Sequence, residues 1–131
     1  MNTLRLPLKK KWFEMTKALI KGEDYRLPTP YWYSRLCLYN GKKQSKKFWE
    51  FYRKNISSFD INRVTFQKFD TTTLTLGYPS NSDKERIIEF EQLSISIGYG
   101  KEEWGADPNK LYFVIKHGKR YDPERKSKRT Y

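Results

Sequence analysis

Glu85-Arg86-Ile87-Ile88-Glu89-Phe90-Glu91-Gln92-Leu93-Ser94-Ile95-Ser96-Ile97-Gly98-Tyr99 is the stretch that decides the architecture. Apolar and polar residues alternate along it, which is the period of a strand with one buried face. The alternation changes phase partway. Ile88 and Phe90 share one parity, whereas Leu93, Ile95 and Ile97 share the other. A strand that switches parity without a break carries an extra residue, a β-bulge, and a bulge bends a strand as the wall of a barrel requires.

The segments on either side keep the period of two. Upstream, Val64 and Phe66 lead one strand, and Leu74, Leu76 and Tyr78 lead another, preceded by the β-prone Thr71, Thr72 and Thr73. Gly77 and Pro79 mark the loop that follows. Downstream, Glu102-Glu103-Trp104-Gly105 interrupts the pattern and Asp107-Pro108-Asn109 turns the chain. Leu111-Tyr112-Phe113-Val114-Ile115, flanked by Lys110 and Lys116, reads as a well-buried last strand. Residues 1–118 therefore form the expected domain, and 119–131 a basic tail expected to be flexible.

The N-terminal part mixes periods. Leu4, Leu6 and Leu8 alternate with Arg5, Pro7 and Lys9, a half-buried strand that Pro7 places at a sheet edge or where no amide is needed. Trp12, Met15 and Leu19, with Phe13, Thr16 and Ile20, form a helical stripe over residues 10–21, and Gly22 is the expected left-handed cap. Residues 23–27 read as extended, with Pro28 and Pro30 in a turn. A ring-rich helix over 31–38 stops at Asn40-Gly41. A basic loop over 42–47 then leads to a second short helix carrying Phe48, Trp49, Phe51 and Tyr52, a helical insertion over about 40–58. The fold class is α+β: a small, mostly antiparallel β-barrel with helices packed at its openings.

A chain of 131 residues suffices for one core. Its apolar share is only 37%, but aromatic residues supply 17% of the chain and each ring buries a large area. The net charge of +12 favours phosphate polymers, anionic membranes or acidic partners. Cys37 is the single cysteine and His117 the single histidine, which excludes an internal disulfide, soft-ligand metal sites and histidine-dependent triads. No metal or cofactor is expected. Cys37, between Leu36 and Leu38, reads as a small buried residue. No stretch has the length of a membrane span, and the first residues lack a signal-peptide pattern, so a cytoplasmic monomer without a membrane partner is expected.

Lys21-Gly22-Glu23-Asp24-Tyr25-Arg26 gathers two cations, two carboxylates and a phenol at the exit of the first helix. In extended backbone Lys21, Glu23 and Tyr25 share one face, and Asp24 and Arg26 the other. Two readings stay open. In the structural one, Arg26 pairs with Asp24 or a distant carboxylate and stitches the helix exit to the barrel. In the binding one, Lys21 and Arg26 contact phosphates, Arg26 through its planar fork, while Tyr31 and Trp104 stack on bases. Lys9 and Lys11 start the helix where its dipole is already positive, and are either solvated or face a phosphate together with the helix amides.

Leu6-Pro7-Leu8-Lys9, then Lys11-Trp12-Phe13, then Lys21-x-x-Asp24-x-Arg26 resembles the ASCH domain of the PUA-like β-barrel superfamily. That family's hallmark is a G-x-K-x-x-E-x-R type motif at the exit of helix one. Here Leu19 stands at its glycine. Glu102-Glu103-Trp104-Gly105, followed by the apolar run from Leu111, is similar to ASCH-like proteins of bacterial mobile elements and phages. The likeness covers roughly residues 4–40 and 60–117. It implies a cleft lined by the motif and suited to RNA or a nucleotide. Family members include nucleic-acid binders, a ribonuclease-like activity and a small amidohydrolase acting on an acylated cytidine. In the amidohydrolase a lysine works with a threonine three residues later and a distal glutamate; Lys21, Asp24 and Glu103 stand at those places here. The resemblance thus implies, as an alternative to binding, a small hydrolase using Lys21 with Glu103, Asp24 or Glu23; a further alternative is a phage or mobile-element protein that binds a host protein, an acidic partner matching the charge of +12.

Overall fold

The computed structural model describes residues 2–80 and 82–121. The alternating leucines build β1, Thr3–Leu8, with Leu4, Leu6 and Leu8 buried. Helix α1, Lys10–Lys17, follows and leads to β2, Glu23–Arg26. Helix α2, Pro30–Leu36, runs into β3, Cys37–Tyr39, and α3 spans Lys46–Lys54. The remaining strands are β4, Val64–Phe66; β5, Thr71–Leu76; β6, Ile87–Tyr99; and β7, Leu111–Arg120.

Five strands form one curled, half-barrel sheet in the order β1-β5-β6-β7-β2. Only β1 and β5 run parallel, with Leu6 opposite Leu74; the other pairings are antiparallel. The second sheet is the β3-β4 ribbon. The architecture is α+β, as expected from the patterning. The backbone pairing leaves β1 and β2 as the two edges of the large sheet.

The phase change in β6 is a pairing irregularity. Phe90 faces Arg120, Gln92 faces His117 and Ser94 faces Lys116, so the strands slip on either side of Gln92. Ile88 and Phe90 lie in the core, and Ile95, beyond the slip, packs against the same core. Leu93 sits at the slip itself and turns outward, with its side chain over Gly118, where an added Cβ would come within 3.0 Å of it. Leu93 and Ile97 consequently remain exposed. The bulged strand was legible; which of its apolar residues reach the core was not.

Helix α1 ends earlier than its apolar stripe suggests. Leu19 N donates to Thr16 O and Ile20 N to Met15 O, the double closure of a Schellman cap. Leu19, at φ 61°, takes the left-handed position expected of Gly22. Gly22 is already bound into the sheet, its carbonyl accepting from His117 N, so the helix must close before it.

The expected helix over 31–38 also stops early, because Cys37 leaves it to pair with Phe66. Ser45 caps α3 by accepting from Phe48 N. Trp49 and Tyr52 of α3 lie in the core, with Trp32 and Tyr33 of α2 and Phe48 of α3 packed against it. Tyr33 stacks on the fully buried Trp49 at 5.0 Å and meets Phe113 of β7 edge-on at 4.9 Å, joining the helices to the sheet. Cys37 is buried and burial pushes its thiol up to about 12, the inert small residue of the sequence reading.

Strand β7 runs past residue 118 to Arg120, and Tyr121 N donates to Glu89 O. The rest of the expected tail, 122–131, lies outside the described residues. Among those described, no helix is long and apolar enough to cross a membrane, and no group of three or more His, Cys, Asp or Glu is arranged to hold a metal.

Candidate functional site

The hexapeptide at the helix exit forms a closed ionic chain. Lys21 and Asp24 are 3% and 5% exposed. The Lys21 ammonium donates to the Glu23 carbonyl and lies 3.2 Å from Asp24 Oδ1. Arg26 Nε donates to Asp24 Oδ2 at 2.9 Å, and Arg26 Nη2 donates to the carbonyl of Pro7 at 2.7 Å. Arg26 thus links β2 to β1, the two edges that no backbone hydrogen bond joins. This is the stitching role considered for it. The alternation of faces holds for Asp24 with Arg26, and for Glu23 with Tyr25, whose hydroxyl donates to Glu23 Oε2 at 2.8 Å. Lys21 departs from it: its long side chain crosses to the Asp24 side.

Burial lowers the Lys21 pKa, and the charge of Asp24 opposes that shift. Behind the pair lies His117, 8% exposed, with its ring 5.5 Å from that of Phe90. Neither ring nitrogen has a hydrogen-bond partner among the described residues. Burial pushes its pKa down to about 4; Asp24 opposes the shift and Lys21 adds to it. At neutral pH the imidazole is uncharged. Sequence reading used His117 only as the single histidine; its parity with Phe113 and Ile115 was the signal that it points inward.

Glu103 and Trp104 sit on a single 3-10 turn, Glu102–Trp104. Gly105, at φ 97°, lets Trp12 approach so closely that an added Cβ would stand 2.7 Å from its ring. Trp104 lies beside Gly22, with the Lys101 ammonium 4.2 Å from its ring centre. Lys101 N donates to Tyr25 Oη at 2.9 Å. The helix exit and the Glu-Trp-Gly turn therefore do meet, and these rings occupy the contact. Glu103 is exposed; its charge helps raise the Tyr25 pKa, mainly an effect of burial. The charges that bear on Lys21 are those of Asp24, Arg26 and Glu23. Lys9 and Lys11 are exposed at the start of α1, Lys11 with its ammonium 4.8 Å from the Trp12 ring centre.

An open hollow of about 260 Å³ lies on the other side of Arg26, across the gap between the sheet edges. Strand β1 contributes Arg5 and Pro7, β2 contributes Arg26, and α2 contributes Tyr31, Trp32 and Arg35; Thr75 and Tyr78 complete the wall. Both guanidiniums lie against Trp32, Arg26 at 4.9 Å and Arg35 at 5.4 Å from the ring centre. Arg35 also donates to Tyr31 Oη at 3.3 Å and to the carbonyl of Arg5 at 3.4 Å. Tyr31 and Tyr78 are 47% and 91% exposed. Among the described residues, no carboxylate lines the hollow.

Of the residues singled out from the sequence, Arg26 and Tyr31 line this hollow; Lys9, Lys11, Lys21, Asp24, Glu103 and Trp104 are not among its lining residues. Arg5, Trp32, Arg35 and Tyr78 were missed. Arg5 had a readable signal, since it alternates with the core leucines on an edge strand. Arg35 had another, standing four residues after Tyr31 and three after Trp32 on a short helix, the spacing at which side chains meet. No family model, no curated protein and no solved structure matches this chain.

Proposed function

We propose that this chain binds RNA or a nucleotide in the arginine- and tyrosine-lined hollow between the edges of its half-barrel. The observation that carries the reading is the grouping of Arg5, Arg26 and Arg35 with Tyr31 and Tyr78 around one open space without a carboxylate. Guanidiniums offer planar, paired donors to phosphate oxygens, and exposed phenol rings offer faces on which a base stacks. Trp32 plays a different part: with two guanidiniums against it, it orients the cations. Arg26 is pre-set by Asp24 and Pro7, so little side-chain freedom remains to be lost on binding. The ASCH resemblance agrees with this reading, since the arginine of the helix-exit motif is the one at the hollow.

A hydrolytic step at Lys21 is supported by the downward pull of burial on its pKa. It would also require the ammonium to leave Asp24 and the Glu23 carbonyl, and the side chain to reach substrate from a buried position. Binding is therefore the reading adopted.

Titration calorimetry with uridine and adenosine monophosphates at low salt tests it. The double variant Arg5→Ala/Arg35→Ala should weaken binding about tenfold or more, on the usual strength of charge-assisted hydrogen bonds. The exposed pair Lys10→Ala/Lys119→Ala, which removes the same charge elsewhere, should change it less than twofold. Equal losses from the two pairs would show that net charge alone attracts the ligand.

A further inference from the structure

The hollow does not end at Arg35. Arg35 also lines a second open space of about 520 Å³, in which β1 supplies Thr3 and Leu4, and Lys43 and Lys46 stand before and at the start of α3. The two spaces therefore meet at Arg35 and follow β1, one along Arg5 and Pro7, the other along Thr3 and Leu4. Six strand residues measure about 20 Å at about 3.3 Å each. Among the described residues, five cations, Arg5, Arg26, Arg35, Lys43 and Lys46, line this path, and no Asp or Glu does. Exposed rings at one end and lysines at the other make the two ends unlike.

The edge strand itself is poorly suited to taking another strand. Pro7 has no amide hydrogen to offer, and the carbonyls of Arg5 and Pro7 already accept from Arg35 and Arg26. An extended peptide adding to β1 would have to displace both guanidiniums. A single-stranded nucleic acid needs no backbone partner: its phosphates meet side-chain cations and its bases stack on rings.

We infer that the ligand is a polymer, a single-stranded RNA or DNA segment of about four nucleotides laid along the β1 edge, the low end of site sizes for such clefts. One base occupies the tyrosine end, and the following phosphates pass Arg35 toward Lys43 and Lys46. This inference rests on the nucleotide-binding reading and goes further by fixing the ligand's length and direction of travel.

The test is fluorescence anisotropy with labelled uridine and thymidine oligonucleotides of one to eight residues, on wild type and on Lys43→Ala/Lys46→Ala. Thermal unfolding of both proteins checks that the exposed substitutions leave the fold intact. Affinity should rise at least tenfold from one to about four nucleotides and then level off. The lysine pair should cost the longer oligonucleotides about tenfold, leave the mononucleotide within twofold, and flatten the salt slope by about 1.4, two phosphates at about 0.7 each. Uridine against thymidine arms of equal length distinguish RNA from DNA. A mononucleotide that binds as tightly as the tetramer, or a lysine pair without effect on length dependence, overturns the polymer inference while the nucleotide-binding reading stands. If no oligonucleotide or mononucleotide binds at low salt, both fail, and binding of a polyglutamate peptide in their place would assign the groove to an acidic protein partner.

Discussion

On the inner side of Arg26 cations are buried and matched; on its outer side they face an open groove with no carboxylate in its walls. Lys21 and Asp24 form an ion pair sealed from water, extended by Arg26 at the wall of the hollow, with rings closing the space toward the Glu-Trp-Gly turn. Arg35, on another element, packs against the Trp32 ring and donates to the backbone carbonyl of Arg5, whose side chain lines the same hollow. The same residue types therefore do two jobs. Buried, each charge exists only because its partner does. Half-exposed, a cation without an acidic partner keeps its capacity for an external anion.

The sharpest way to break the comparison is on the sealed side. Asp24→Asn leaves two cations without their carboxylate and should cost about 3–5 kcal/mol of stability, read as a lower denaturant midpoint. Arg35→Ala, on the open side, should change stability by less than about 1 kcal/mol, as expected of a side chain outside the core. Similar losses from the two would erase the distinction.

Next comes the pH dependence of the sealed side. His117 has a folded pKa of about 4 against an ordinary value of 6.5, so the unfolded chain binds the proton more readily. That contribution is complete above about pH 6.5 and is lost as pH falls toward 4, by an amount of up to about 3 kcal/mol. His117→Phe should flatten stability across this window. Its ring suits the packing against Phe90, and it removes two buried nitrogens that lack protein partners. An unchanged pH profile in the variant would show that other groups set it.

On the open side the expected effect is on binding: tenfold or more for Arg5→Ala/Arg35→Ala, equivalent to about 1.4 kcal/mol or above. The smallest effect concerns the left-handed Leu19, which is 69% exposed. Leu19→Gly removes a backbone strain of about 1 kcal/mol and should raise the unfolding midpoint slightly, with no change in nucleotide affinity.

What the sequence disclosed follows from this division. Periodicity reports burial, so the strands of the large sheet and the parity switch in β6 were readable from residue spacing, whereas β3 was read as the end of a helix. The edge position of β1 followed from Pro7. The ionic chain was half readable: Asp24 and Arg26 are two apart on one strand, and the structural use of Arg26 stood among the readings. Its partner Pro7 lies nineteen residues away across the gap between sheet edges, and no local pattern encodes that meeting. The open groove was harder still. Its arginines come from β1, β2 and α2, brought together only by the curl of the sheet, while the conspicuous lysines of α1 and the ring of Trp104 drew attention elsewhere. Gly22 misled for a related reason. Its left-handed licence is unused because its carbonyl is committed to β7.

The most direct measurement is ultraviolet crosslinking of the protein to a short uridine oligonucleotide, followed by mapping of the adducts by mass spectrometry. Stacking of a base in the hollow predicts adducts concentrated on the peptides that carry Tyr31 and Tyr78, lost in Arg5→Ala/Arg35→Ala. Adducts gathered instead on Trp104 or on the stretch from Lys9 to Trp12, and indifferent to those two arginines, would contradict it.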